Sequence, residues 1–181
     1  MSDRRNRHGK KEVISKAAGR IRCKRPWQRW SRRLAEKMIA PDALAALPHG
    51  PSFRFIDELT ALIPGRSGTA TYAVRGDEGF LAGHFPGRPL MPGVILIEAL
   101  AQLGGVVAQS DPAIPALSDL KLTAVRGARI TGSAVPGENL TIRAEVVGRM
   151  AGLIEVRGEV LVGDRVILTT QVTLSGTPAG S

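Results

Sequence analysis

The stretch Gly83-His84-Phe85-Pro86-Gly87-Arg88-Pro89-Leu90-Met91-Pro92-Gly93-Val94-Ile95-Leu96-Ile97-Glu98-Ala99-Leu100-Ala101-Gln102 decides how this chain is read. Pro86, Pro89 and Pro92 fall within seven residues. Each fixes its own φ and biases the residue before it away from helix, which predicts a stiff, extended loop carrying His84. Pro92 and Gly93 then stand where a first helical turn tolerates a missing N–H. From Val94 to Ala108 the side chains are apolar apart from Glu98 and Gln102. That predicts a helix buried on nearly every side, too short for a membrane span and carrying an acid.

Glu98 and Gln102 are four residues apart and share a helix face. A buried carboxylate is costly unless it is paired or hydrogen-bonded, and burial raises its pKa toward the range useful for proton transfer. An imidazole titrates close to neutral pH, so His84, held beside the helix mouth, is the matching candidate for acid/base work. The free N–H groups of Gly93 and Val94 at the helix start favour negative charge. Structural alternatives stand beside this reading. The loop is also explained as a turn that orients the helix, and Glu98 as a carboxylate satisfied by Gln102 or by a backbone group. His49 opens the folded part and packs or hydrogen-bonds locally, while His8 lies in a basic tail. Gly104 and Gly105 cost helix stability, so they either admit a close neighbour or end the helix.

The remaining pattern is that of strands. Residues 140–146 alternate apolar and polar side chains, and 154–160 do so less cleanly. Residues 165–174 are rich in Val, Leu and Thr, with Gly163-Asp164 as a hairpin signal before them. Residues 53–63 and 68–74 predict two earlier strands around a turn at Pro64-Gly65. One long helix among five or six strands is an α+β domain. There is no internal repeat.

The formal charge of +9 is unevenly placed. Residues 1–40 hold 14 Lys/Arg against 3 Asp/Glu, and residues 41–181 hold 11 against 13. The basic character belongs to the tail, so nucleic acid is not an expected partner of the domain at 41–181. Three readings fit residues 1–40. One is a disordered basic arm. Another is a basic amphipathic helix for anionic lipid or an acidic partner, with Trp27, Trp30, Leu34 and Met38 on one side. The third is a start assigned too far upstream, Met38 beginning a chain of 144 residues. A secretory signal lacks its apolar stretch here, and an organellar transit peptide stays open. Cys23 is the one cysteine, which excludes an internal disulfide and a cysteine-based zinc site and fits a cytoplasmic setting.

The quoted stretch resembles the 3-hydroxyacyl-[acyl carrier protein] dehydratases of the FabZ type. Their pattern is Gly-His-Phe-Pro-x-x-Pro-x-Met-Pro-Gly-Val followed by a helix with Glu-Ala-x-Ala-Gln, and it is met from Gly83 through Gln102 without a gap. Weaker similarity spans about residues 46–175, including Val135-Pro136-Gly137-Glu138, where the family usually has aspartate last. The resemblance implies a hotdog fold, an antiparallel sheet wrapped around one long central helix. It implies a homodimer, or a trimer of dimers, with active sites at the subunit interface. His84 and Glu98 match the family's catalytic pair, each supplied by a different subunit. Phe85, Pro92, Gly93, Val94 and Gln102 are the implied substrate-binding residues. The dehydratase/isomerase branch usually has aspartate at the acid, so Glu98 favours simple dehydration.

The implied substrate arrives on the phosphopantetheine arm of an acyl carrier protein, with no metal and no cofactor. Water then leaves a 3-hydroxyacyl thioester to give a trans-2-enoyl thioester. Two departures stand out. Gly50-Pro51-Ser52-Phe53 replaces the usual Arg-Tyr-Pro-Phe, whose tyrosine lies on a gating loop, and Ala128-Arg129-Ile130-Thr131-Gly132-Ser133 replaces Ala-Arg-Phe-Arg-Arg-Pro. The competing expectations are an acyl thioesterase on the same fold and a non-catalytic acyl-binding protein.

Overall fold

The computed structural model describes residues 43–45 and 47–178, so the readings of residues 1–40 lie outside it. A 3-10 turn at Pro51–Phe53 leads into β1 (Glu58–Ile63) and β2 (Ser67–Ala73). A short helix α1 (Gly79–His84) and the long helix α2 (Gly93–Gln109) follow. The chain ends in β3 (Leu117–Ile130), β4 (Asn139–Met150), β5 (Leu153–Val162) and β6 (Arg165–Pro178). All pairs in the six-stranded sheet are antiparallel, in the order β1-β2-β4-β5-β6-β3. This is the α+β architecture with one long helix that the sequence predicts, with the short α1 added. Among the described residues no helix is long and apolar enough to cross a membrane.

The helix and sheet meet in one apolar core. Leu96, Ala99, Leu100, Leu103 and Val107 of α2 are buried with Ile142, Val156, Val160 and Leu168 of the sheet. The approach is close because side chains are missing where the two layers touch. A Cβ on Gly104 would lie 2.9 Å from Val156 Cγ1, and one on Gly158 of β5 would run into Leu100 and the carbonyl of Arg143. Gly104 therefore serves packing, and the helix continues five residues past it to Gln109. The β5–β6 hairpin turns at Gly163, whose φ of 55° is a left-handed conformation suited to glycine.

Three features differ from the sequence reading. The segment 53–57 precedes β1 and is not part of it. There Phe55 and Ile56 are both buried, which a strand with one face on the core does not allow. His84 ends α1, a helix that the pattern of residues 79–84 did not announce. Strand β3 carries no legible alternation because its register against β6 shifts three times, with Asp119 and Gly127 at positive φ. Such bulges break the two-residue period.

Candidate active site

Gln102 organises the middle of α2. Its Oε1 accepts the N–H of Phe55 at 3.0 Å, and its Nε2 donates to the carbonyl of Phe53 at 2.9 Å and to Glu98 Oε1 at 3.0 Å. The side chain is 3% exposed, and its bond to the Phe55 N–H is shielded from water. Gln102 thereby staples the segment 53–55 to the helix and fixes the rotamer of Glu98. His49 comes to the same carboxylate, with Nε2 3.4 Å from Glu98 Oε1. Its Nδ1 is buried and has no partner among the described residues. Phe53 stacks obliquely on His49 at 6.0 Å and edge-on to Phe55 at 5.0 Å.

His49, Phe53, Glu98 and Gln102 border a cavity of about 570 Å³. One wall is the α2 face carrying Glu98, Gln102, Gly105 and Gln109, and a second is the strap from Leu47 to Phe53. The third is the first part of β3, from Leu117 to Leu122, backed by Leu174. Glu98, Gln102 and His49 stand together on one part of the wall, Leu120, Leu122 and Leu174 supply apolar surface, and Gln109, Asp119 and Lys121 also border the space. A carboxylate in the wall of a cavity that also offers leucine side chains suits a substrate with a reactive head and a hydrocarbon tail.

His84 lies elsewhere on the subunit and is not a lining residue of this cavity. Its Nδ1 is 3.1 Å from the carbonyl oxygen of Leu90. A carbonyl only accepts, so Nδ1 donates, and in the neutral ring Nε2 is the nitrogen that keeps its lone pair, as a general base needs. The ring is exposed and packs edge-on against Phe85 at 4.5 Å. Of the sequence-implied binding residues, only Gln102 borders the cavity. Phe85 and Val94 are exposed, Gly93 is half-buried and Pro92 is buried. Pro92 caps α2, its carbonyl accepting the N–H groups of Ile95 and Leu96. The N–H groups of Gly93 and Val94 have no acceptor among the described residues. Ile130, at the end of β3, occupies the place where a side chain on residue 93 would go.

The start of α1, and so the placing of His84, rests on a charged cluster. Glu78 caps α1 and accepts the N–H groups of Arg75 at 2.9 Å and Gly76 at 2.7 Å. It also takes the Tyr72 hydroxyl at 2.9 Å. Partial burial opposes ionisation of Glu78, but these donors outweigh it and hold the carboxyl below its usual range. Burial, then the bond to Glu78, pushes the Tyr72 phenol above its usual range. Among the described residues no group of three or more His, Cys, Asp or Glu gathers into a metal-binding set.

The family model described as a FabA-like domain matches residues 47–171. The chain is 36% identical over 124 residues to the 3-hydroxyacyl-[acyl-carrier-protein] dehydratase FabZ of Anaeromyxobacter sp., covering 67% of this chain and 78% of that protein. It is 38% identical over 118 residues to the protein of the same name in Myxococcus xanthus, covering 65% and 77%. The chain belongs to the FabZ-type dehydratase family. Among solved structures the FabZ-type chain resembles the dehydratase heterocomplex ApeI:P from Xenorhabdus doucetiae. The TM-score is 0.62 at 18% identity, over 74% of this chain and 89% of that one. It also resembles a hypothetical thioesterase with coenzyme A from Streptococcus pneumoniae, with a TM-score of 0.53 at 16% identity, over 68% and 88%. At such identities these likenesses establish the fold alone, a hotdog.

Several features of the candidate site are not legible in the sequence. His49 gave no signal beyond its type. Gly105 and Gln109 recur on the face of Glu98 and Gln102, a spacing that identifies a common wall once the helix is known. The β3 wall was hidden by its bulges.

Proposed function

We infer that this chain catalyses the reversible dehydration of 3-hydroxyacyl groups on acyl carrier protein to trans-2-enoyl groups. His84 and Glu98 from neighbouring protomers form the site. The observation that carries the reading is the cavity with Glu98 and Gln102 in its wall in a chain of the FabZ-type family. His84 Nε2 removes a proton from C2. The electrons move through the thioester enolate, whose oxygen faces the free N–H groups of Gly93 and Val94. Glu98 delivers a proton to the departing C3 hydroxyl, directly or through water, and the C2–C3 double bond forms.

The partner subunit is part of this reading. Strand β3 is the last in the sheet order and pairs only with β6, so its outer edge is open among the described residues. Leu122, Val125 and Ile130 are exposed along it, and Phe85 and Val94 are exposed at the His84 loop and helix start. An open edge with apolar side chains calls for a cover, and a second copy supplies one together with its His84. The substrate's carrier is an acyl carrier protein, and the setting is cytoplasmic.

The test is hydration of crotonyl and longer enoyl thioesters on carrier protein, followed by loss of the enone absorbance. Turnover in the purified chain supports the reading. Release of free thiol together with the free enoic acid would replace it with a thioesterase, and binding without either change would replace it with an acyl-binding protein.

A further inference from the structure

Gly105 stands in the interior of α2, where glycine costs helix stability relative to alanine. The packing gives no reason for that cost. Gly104 beside it is needed against Val156, whereas a Cβ on Gly105 would meet Leu120 Cδ2 at 3.5 Å and Leu174 Cδ1 at 3.9 Å, ordinary contact distances. Nor is its backbone in a left-handed conformation. What the missing side chain leaves is cavity. Glu98, Gln102, Gly105 and Gln109 follow one another along a single helix face, and all four border the same space.

The row ends in a closure. Gln109 Nε2 donates to the carbonyl of Leu117 at 2.7 Å, and its Oε1 accepts the Leu117 N–H at 3.0 Å. This two-bond clamp ties the start of β3 to the end of α2. From Glu98 to Gln109 is eleven residues, or roughly 16 Å of helix rise. With carbon–carbon bonds of about 1.5 Å foreshortened by the zigzag of an extended chain, that length holds roughly a dozen carbons.

We propose that Gly105 determines acyl-chain length: its absent side chain lets the tail of the substrate pass Gln102 and run on to the Gln109–Leu117 clamp. The inference rests on the dehydratase reading and adds medium-length 3-hydroxyacyl chains as its substrate class. Gly105→Ala adds one methyl group to the passage without a clash, and Gly105→Val adds a branched one. A methylene too many in an apolar channel costs about ten-fold or more in discrimination.

The experiment measures kcat/KM of the full chain and both variants on carrier-linked 3-hydroxybutyryl and 3-hydroxydodecanoyl groups, with melting temperatures alongside. The expected result is a dodecanoyl-to-butyryl ratio that falls about ten-fold in Gly105→Ala and further in Gly105→Val. The melting temperature of Gly105→Ala rises at the same time, as alanine is the better helix former. A ratio that stays constant in Gly105→Ala, whatever happens to the absolute rates, overturns the proposal. Absence of turnover on both substrates in the unaltered chain would instead remove the dehydratase reading beneath it.

Discussion

Gln102 and Glu98, one helical turn apart, share a hydrogen bond of 3.0 Å in which the amide donates and Oε1 of the carboxylate accepts. Among the described residues Oε2 of Glu98 has no hydrogen-bond partner, so the acid is held by one oxygen and presents the other. The same amide binds the backbone at Phe53 and Phe55. Positioning of the acid and docking of the cavity's strap therefore depend on one side chain.

Gln102→Leu keeps much of the volume and removes all three bonds. The buried N–H of Phe55 then lacks its acceptor, and stability falls by about 1–3 kcal/mol. Turnover falls as well, since Glu98 loses its anchor. Urea denaturation and the hydration assay check the two effects separately. A variant with lowered stability but full kcat would show that Glu98 needs no positioning.

His84→Ala and Glu98→Gln each abolish turnover while leaving the fold intact, because His84 is exposed and Glu98 lies at a cavity wall. Mixing the two inactive proteins under exchange gives a sharper result. In a two-fold dimer each heterodimer has one intact site and one doubly altered site, so roughly a quarter of wild-type activity returns. No recovery from subunits shown to exchange would mean that the two residues do not meet across an interface.

Gly104→Ala is the structural counterpart of the Gly105 variants. Its new methyl group lies 2.9 Å from Val156 Cγ1, and overpacking of this kind costs about 1–3 kcal/mol. Val156→Ala in the same protein recovers part of the loss by making room. Chemical denaturation of the single and double variants measures both, and an increase in stability for Gly104→Ala alone would contradict the packing described.

Tyr72 and Glu78 give opposite pH dependences. The native phenol titrates above its usual value, so its contribution is complete below about pH 10 and declines as pH rises beyond it, where the unfolded chain ionises first. The native Glu78 carboxyl titrates below its usual value. Its contribution is present above about pH 4.5 and is lost as pH falls through the depressed pKa. Tyr72→Phe flattens the alkaline decline and Glu78→Gln the acid one. Stability measured against pH for each variant checks the assignment, and unchanged slopes would refute it.

Much of the fold was legible because its signals are local. The β5–β6 hairpin was visible in Gly163-Asp164, and α2 in an apolar run opened by Pro92-Gly93. Strand β3 was not, since three register shifts erase its alternation. Helix α1 escaped because its start depends on Glu78 gathering N–H groups from Arg75 and Gly76 after the chain has turned. In the candidate site, Glu98 and Gln102 were legible as polar exceptions on an apolar helix. The approach of His49 to Glu98 bridges 49 positions of chain and has no local signature.

By itself the sequence determined the secondary-structure class, the buried helix with its lone acid, and the family motif from Gly83 to Gln102, because periodicity and proline or glycine geometry act over a few residues. Only the tertiary structure decided which helix face became a cavity wall and why two adjacent glycines differ. Gly104 is pressed against Val156, whereas Gly105 borders the cavity with Leu120 and Leu174 at ordinary contact distance, and that distinction arises only when the sheet closes over the helix.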